Sequence, residues 1–271
     1  TASILGFGAG IFFWGYFMFE VPSNIILHKV GARLWIARVM VTWGIISGAM
    51  AFVEGATSFY VMRFLLGAAE AGFFPGIILY LSYWFPARHR AGVTALFMAA
   101  APISTALGSP ISAALLEMSG VMGLRGWQWM FILEAVPALV LGVVVFFYMT
   151  DKPMNAEHAS KAGGGKHGIL SGMANPRVLA LALIYFGTSA GLYTLGIWAP
   201  QIIKQLGVSS MTVGFLNAIP PIVSVVAMVL WSRHSDRSGE RTWHVVLACV
   251  AAAVGLVVAA SANSVVGLIA A

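Results

Sequence analysis

Apolar residues run along this chain in long uninterrupted blocks, and the polar residues collect in the short gaps between them. A helix needs roughly 20 mostly apolar residues to cross a hydrocarbon core about 30 Å thick. Eight stretches meet that length, at 4–27, 36–53, 59–85, 91–116, 127–149, 178–203, 211–231 and 244–262, and a ninth starts at Ser264 and reaches only Ala271. The pattern predicts an all-α, polytopic membrane protein with eight complete transmembrane helices and part of a ninth.

Composition agrees, because 60% of residues are hydrophobic and 9% are charged, whereas ordinary soluble domains carry roughly 25% charged residues. A net charge of +6 would by itself admit a nucleic-acid partner, but the placement of the cations decides otherwise. Lys29, Arg33 and Arg38 lie between spans 1 and 2, Arg88 and Arg90 between 3 and 4, Lys152, Lys161, Lys166 and Arg177 between 5 and 6, and Arg233, Arg237 and Arg241 between 7 and 8. These alternate loops hold all of the 15 Lys and Arg except Arg63, Arg125 and Lys204. The positive-inside rule puts them in the cytoplasm, so the expected partner is the lipid bilayer of the cell membrane, a bacterial inner membrane, with no nucleic acid. The six His residues all fall in or beside those loops, which argues against a metal site in the membrane. Cys249 has no disulfide partner, and no cofactor is expected. The chain begins without Met, and its first apolar stretch is too long for a signal peptide and lacks a basic leader; both ends are expected to be cut.

One charged motif occurs twice. Lys29, Gly31, Arg33 and Trp35 are matched 208 positions later by Arg237, Gly239, Arg241 and Trp243. A hairpin repeated in this way predicts two related helical bundles in one monomeric polypeptide. The longest polar interval, with Gly163, Gly164 and Gly165, reads as a flexible linker. It divides the chain into an N-terminal bundle at 1–150, a cytoplasmic linker at 151–177 and a C-terminal bundle at 178–271. Lys166 is followed by His167 rather than Ser or Thr, so the glycines do not form a phosphate loop. Gly and Pro at depth, including Pro22, Gly72, Pro75, Pro102, Pro110, Pro220 and Pro221, predict close helix approach and kinks whose freed carbonyls need new partners. The hairpins have two readings, a topology signal or a cytoplasmic latch. Asp236 supplies a carboxylate beside the second copy, while the first has His28 at that place, so a carboxylate-centred latch is expected only in the second half.

Longer strings carry a resemblance. Gly15-Tyr16-Phe17-Met18-Phe19-Glu20-Val21-Pro22-Ser23-Asn24, Val30-Gly31-Ala32-Arg33-Leu34-Trp35-Ile36-Ala37-Arg38, Arg63 through Gly76, and Tyr83-Trp84-Phe85-Pro86 closely resemble the major facilitator superfamily. More narrowly they are similar to its anion:cation symporter family of tartrate, phthalate, hydroxyphenylacetate and sugar-acid permeases. Gly126-Trp127-Gln128-Trp129 and Trp231 through Arg237 extend the match over nearly the whole chain. The resemblance implies a two-bundle fold of twelve helices, of which these spans are similar to helices two through nine with a stub of the tenth, and a linker shorter than usual. It also implies secondary active transport: proton-coupled symport of a small organic anion, a carboxylate, by alternating access of two rocking halves.

Charges inside spans are costly and therefore functional candidates. Arg63 and Glu70 are seven residues apart, which places them on one helix face about 10 Å apart along the axis. By resemblance that face lines the central cavity and Glu70 carries the proton, with sodium left open as the coupling ion. Arg63, Tyr16, Tyr193 and Asn217 are the candidate substrate-binding residues, and a structural salt bridge to a neighbouring carboxylate is the alternative role for Arg63. Lys29, Gly31, Arg33, Asp236, Arg237, Gly239 and Arg241 form the candidate gates. Two other readings of the whole chain are a non-transporting receptor on the same scaffold and a transport-incompetent fragment. No His-Glu-x-x-His string occurs, and an enzyme is not expected.

Overall fold

The regular structure of the computed structural model is helical throughout the residues it describes, 2–151, 176–240 and 242–261. The helices are α1 (Ala2–Val30), α2 (Ala32–Ala49), α3 (Ala56–Glu70), α4 (Phe73–Trp84), α5 (Ala87–Leu116), α6 (Gly126–Tyr148), α7 (Pro176–Gln205), α8 (Ser210–Ser238) and α9 (Thr242–Ser261). Seven segments among the described residues are long and apolar enough to cross a bilayer, and α7, with 30 residues, adds the length of an eighth. Most of the linker expected at 151–177, and the stub after Asn263, lie outside the described residues.

One span differs from the continuous helix expected at 59–85. It is two helices, α3 and α4, separated at Ala71 and Gly72. The cause is local chemistry. The carbonyl of Ala71 should accept from the N–H four residues on, but that residue is Pro75, which has no N–H and whose ring crowds the carbonyl. The chain turns out of the helix at Ala71, with φ −54° and ψ 131°, and re-enters through Gly72 at φ 83° in the left-handed region. By contrast α1, α5, α6, α7 and α8 remain continuous helices through their internal prolines.

The chain divides into two units, one made of 1–97 with 115–163, the other of 98–114 with 164–271. In the first, α1 packs on α3 and α2 on α6. The α1–α3 contact is backbone on backbone: a Cβ at Gly15 would strike the carbonyl of Phe64, and one at Gly67 the carbonyl of Phe12. Apolar side chains gain nothing by leaving lipid for protein, so small residues that admit such contact are what hold membrane helices together. Leu27, Ile36, Val39 and Met50 are the largest fully buried side chains. Phe17, Leu96 and Phe147 instead point outward, each more than two-thirds exposed, as lipid-facing residues do. At one end of this unit Gln128 caps α6 by accepting from Arg125 N at 2.9 Å and donates to the carbonyl of Ala51 at 2.7 Å.

In the second unit α7 packs on α8, and the C-terminal part of α5 meets α8 at Gly214, where a Cβ would lie 2.6 Å from that of Ala113. Ser209 caps α8, its hydroxyl accepting from Thr212 N at 3.1 Å. Gly239 closes the helix at φ 66°, the left-handed C-cap that glycine adopts without a steric penalty.

Candidate functional site

The α1–α3 contact brings three of the candidate residues onto one pair of helices. Arg63, Gly67 and Glu70 fall at spacings of four and three along α3, a single stripe on the helix surface. Gly67 is pressed against α1, with its missing Cβ placed 2.9 Å from the backbone N of Tyr16. Tyr16 therefore enters beside the middle of the stripe, and Arg63 and Glu70 lie one turn to either side. Phe12 sits behind Tyr16, ring centroids 6.2 Å apart.

Arg63 is half-buried, and its guanidinium rests over the ring of Phe59 at 5.1 Å. Its Nε is buried and lacks a hydrogen-bond partner among the described residues. No ion pair between a carboxylate and Arg63 or Arg38 is formed among the described residues. A cation stacked on an aromatic face and short of hydrogen-bond acceptors is suited to an incoming carboxylate, which a guanidinium binds with paired N–H donors. Glu70 is the last residue of α3, half-buried and adjacent to the helix break.

Behind this stripe lies a small polar network that the sequence did not single out. Ser23 of α1 donates its hydroxyl to the carbonyl of Ala71 at 2.6 Å and accepts the indole N–H of Trp35 of α2 at 2.9 Å. The orphan created by Pro75 is thus satisfied from a neighbouring helix, as the absence of water in a bilayer demands. Pro75, four residues after Ala71, was the available signal for it. Trp35 also carries the guanidinium of Arg38 over its ring at 3.9 Å.

The two hairpins are built differently. Gly31, at φ 92°, turns the chain from α1 into α2. The N-terminus of α2 is then capped by Asp151, 118 residues away, whose carboxylate accepts from Arg33 N at 2.7 Å. The guanidinium of Arg33 lies over Phe146 at 5.7 Å, while Lys29 is exposed in the last turn of α1. So the first hairpin does have a carboxylate at its centre, contrary to the expectation for that half. Asp151 was legible only as the residue after span 5, and nothing in the sequence joined it to Gly31.

In the second hairpin the carboxylate is Glu240, which accepts from Trp243 N at 2.8 Å. That bond holds the Glu240 carboxyl below the usual carboxylate range, helped by His244. His244 Nδ1 lies 3.0 Å from Glu240 and its Nε2 lies 2.7 Å from Nδ1 of His234. Arg237 is exposed in the last turn of α8. Arg241 and the side chain of Asp236 lie outside the described residues, so the latch read from Asp236 does too.

The remaining candidates belong to the second unit. Asn217 donates to Ser109 Oγ at 2.9 Å, so its amide links α8 to α5. Tyr193 on α7 is about half exposed, at 49%.

The family pattern described as Major Facilitator Superfamily matches residues 1–271. Two proteins of Agrobacterium vitis, each named "Putative tartrate transporter", are 68% identical over 98% of this chain. A protein of Pseudomonas putida named "Putative metabolite transport protein NicT" is 40% identical over 94% of it. The chain spans 63% to 65% of the length of these relatives.

Proposed function

Because the chain belongs to the major facilitator superfamily, an all-α family of multi-pass membrane transporters, we propose that it carries a small carboxylate across a bacterial inner membrane by proton-coupled symport. Tartrate, named in its Agrobacterium relatives, is the first substrate to test. The observation that supports the reading is that Gly67, between Arg63 and Glu70 on one face of α3, packs on the backbone of Tyr16 in a segment long and apolar enough to cross a bilayer.

Each residue has a chemical task. Arg63 supplies the fixed positive charge, and its planar fork of N–H groups matches a carboxylate better than a point charge does. Tyr16 offers a hydroxyl that donates or accepts without the cost of a buried charge. Glu70 binds a proton when the site faces the proton-rich side and releases it inside. Substrate and proton share one stripe about two turns long, so filling one position alters the electrostatic cost of filling the other. No bond is made or broken; the work is alternating access driven by the proton gradient.

The test is uptake of radiolabelled tartrate by the intact protein in proteoliposomes under an inward proton gradient. Wild type accumulates tartrate, Arg63→Gln raises the half-saturating concentration by about tenfold or more, about 1.4 kcal/mol of lost binding, and Glu70→Gln lowers gradient-driven accumulation about tenfold. Undiminished accumulation by Glu70→Gln contradicts the proton assignment.

A further inference from the structure

Glu70 ends α3, and the next carbonyl along the chain, that of Ala71, is the one Pro75 leaves without a donor. The carbonyl lies in the break just past α3, Ser23 of α1 donates to it at 2.6 Å, and Trp35 of α2 donates to Ser23 at 2.9 Å. An indole N–H can only donate and a serine hydroxyl has one hydrogen, so the chain runs in one direction, Trp35 to Ser23 to Ala71. Ser23 is 5% exposed and is the one polar side chain classed with the buried core among the described residues. Gly72 is packed so tightly on it that a Cβ there would collide with the serine hydroxyl.

We propose that Ser23 and Trp35 are positioning residues for proton coupling. By fixing the Ala71 carbonyl they fix the angle at which α3 breaks, and with it the place of the Glu70 carboxyl on its stripe; this rests on Glu70 being the proton carrier. The α3 break needs an outside donor to exist in a bilayer, and the donor supplied is tied to α2 two residues from Arg33, whose N–H is held by Asp151. A tryptophan in the first turn of the first hairpin's helix is thus linked through Ser23 to the carbonyl of Ala71, the neighbour of the residue proposed to carry the proton.

The experiment compares gradient-driven accumulation of radiolabelled tartrate with tartrate counterflow at equal pH, each over a range of pH, in the reconstituted intact protein. Ser23→Ala is expected to lower accumulation about fivefold or more and to displace the pH at which uptake is half-maximal, while counterflow stays within about twofold. Ser23→Thr restores both, because the hydroxyl returns. Trp35→Phe, which keeps a ring and removes only the N–H, gives a smaller change of the same kind and serves where Ser23→Ala does not fold. A wild-type pH profile in both Ser23→Ala and Trp35→Phe, or equal loss of accumulation and counterflow with no change of profile, overturns the proposal. Intact accumulation by Glu70→Gln overturns the underlying reading instead, and the two failures are told apart by which variant shows them.

Discussion

The two copies of the basic-Gly-Arg-Trp hairpin share a turn and, among the described residues, differ in what caps the helix that follows it. In the first, Gly31 is followed by a helix whose cap comes from Asp151, far away in sequence, and whose Trp35 is half-buried and bonded to Ser23. In the second, the cap is Glu240, inside the motif itself, and Trp243 is 65% exposed. One hairpin is fastened to other parts of its unit, whereas the other is closed by its own residues and His244. A repeated string therefore specifies the turn, through glycine at positive φ and a helix start, while its connections depend on what each bundle places opposite.

The largest contrast is expected at the glycines. Gly31 sits at φ 92° and ψ 154° with Asp151 where a Cβ would go, a region nearly closed to other residues. Gly31→Ala should cost about 2–3 kcal/mol through strain and displacement of the cap. Gly239 is at φ 66° with open space around it, and Gly239→Ala should cost about 1 kcal/mol. Thermal unfolding of both variants in detergent checks the order; equal losses would mean that the first hairpin is no more firmly anchored than the second.

The capping carboxylates come next. Asp151→Asn should destabilise by about 1 kcal/mol, because a charged acceptor at a helix N-terminus meets both an unpaired N–H and the positive end of the helix dipole. Glu240→Gln should have the smaller effect, since the carboxylate is open to water. Its contribution is tied to pH in a definite sense. A carboxyl held below its ordinary range by folding adds stability that is fully present above that range and is lost as pH falls through the depressed value. The difference in unfolding temperature between wild type and Glu240→Gln should thus be present near neutral pH and close in acid; a difference that grows in acid would contradict the Trp243 bond as its cause.

Much of the fold was legible because a bilayer simplifies the reading: backbone groups must be satisfied within helices, so long apolar runs mark the spans. The α3–α4 break was not foreseen, although Pro75 and Gly72 were both noted as breakers, since whether a helix kinks or parts depends on a donor from another helix. Ser23 supplies that donor, and a serine near the end of a span reads only as a small residue. Arg63 and Glu70 were proposed from the cost of burying charge. Asp151 was not, because its role arises from packing across 118 residues of chain. Asn217, read as facing substrate, is held by Ser109, a pairing that neither residue's own surroundings in the sequence indicate.

Proton-linked carboxylate transport through Glu70 is most directly tested by trapping a pH-sensitive dye inside proteoliposomes and adding tartrate outside at equal pH. Wild type should acidify the lumen as tartrate enters, and Glu70→Gln should admit tartrate without acidifying it. Tartrate entry into wild-type vesicles with no change in lumenal pH, or equal acidification by Glu70→Gln, would contradict the account.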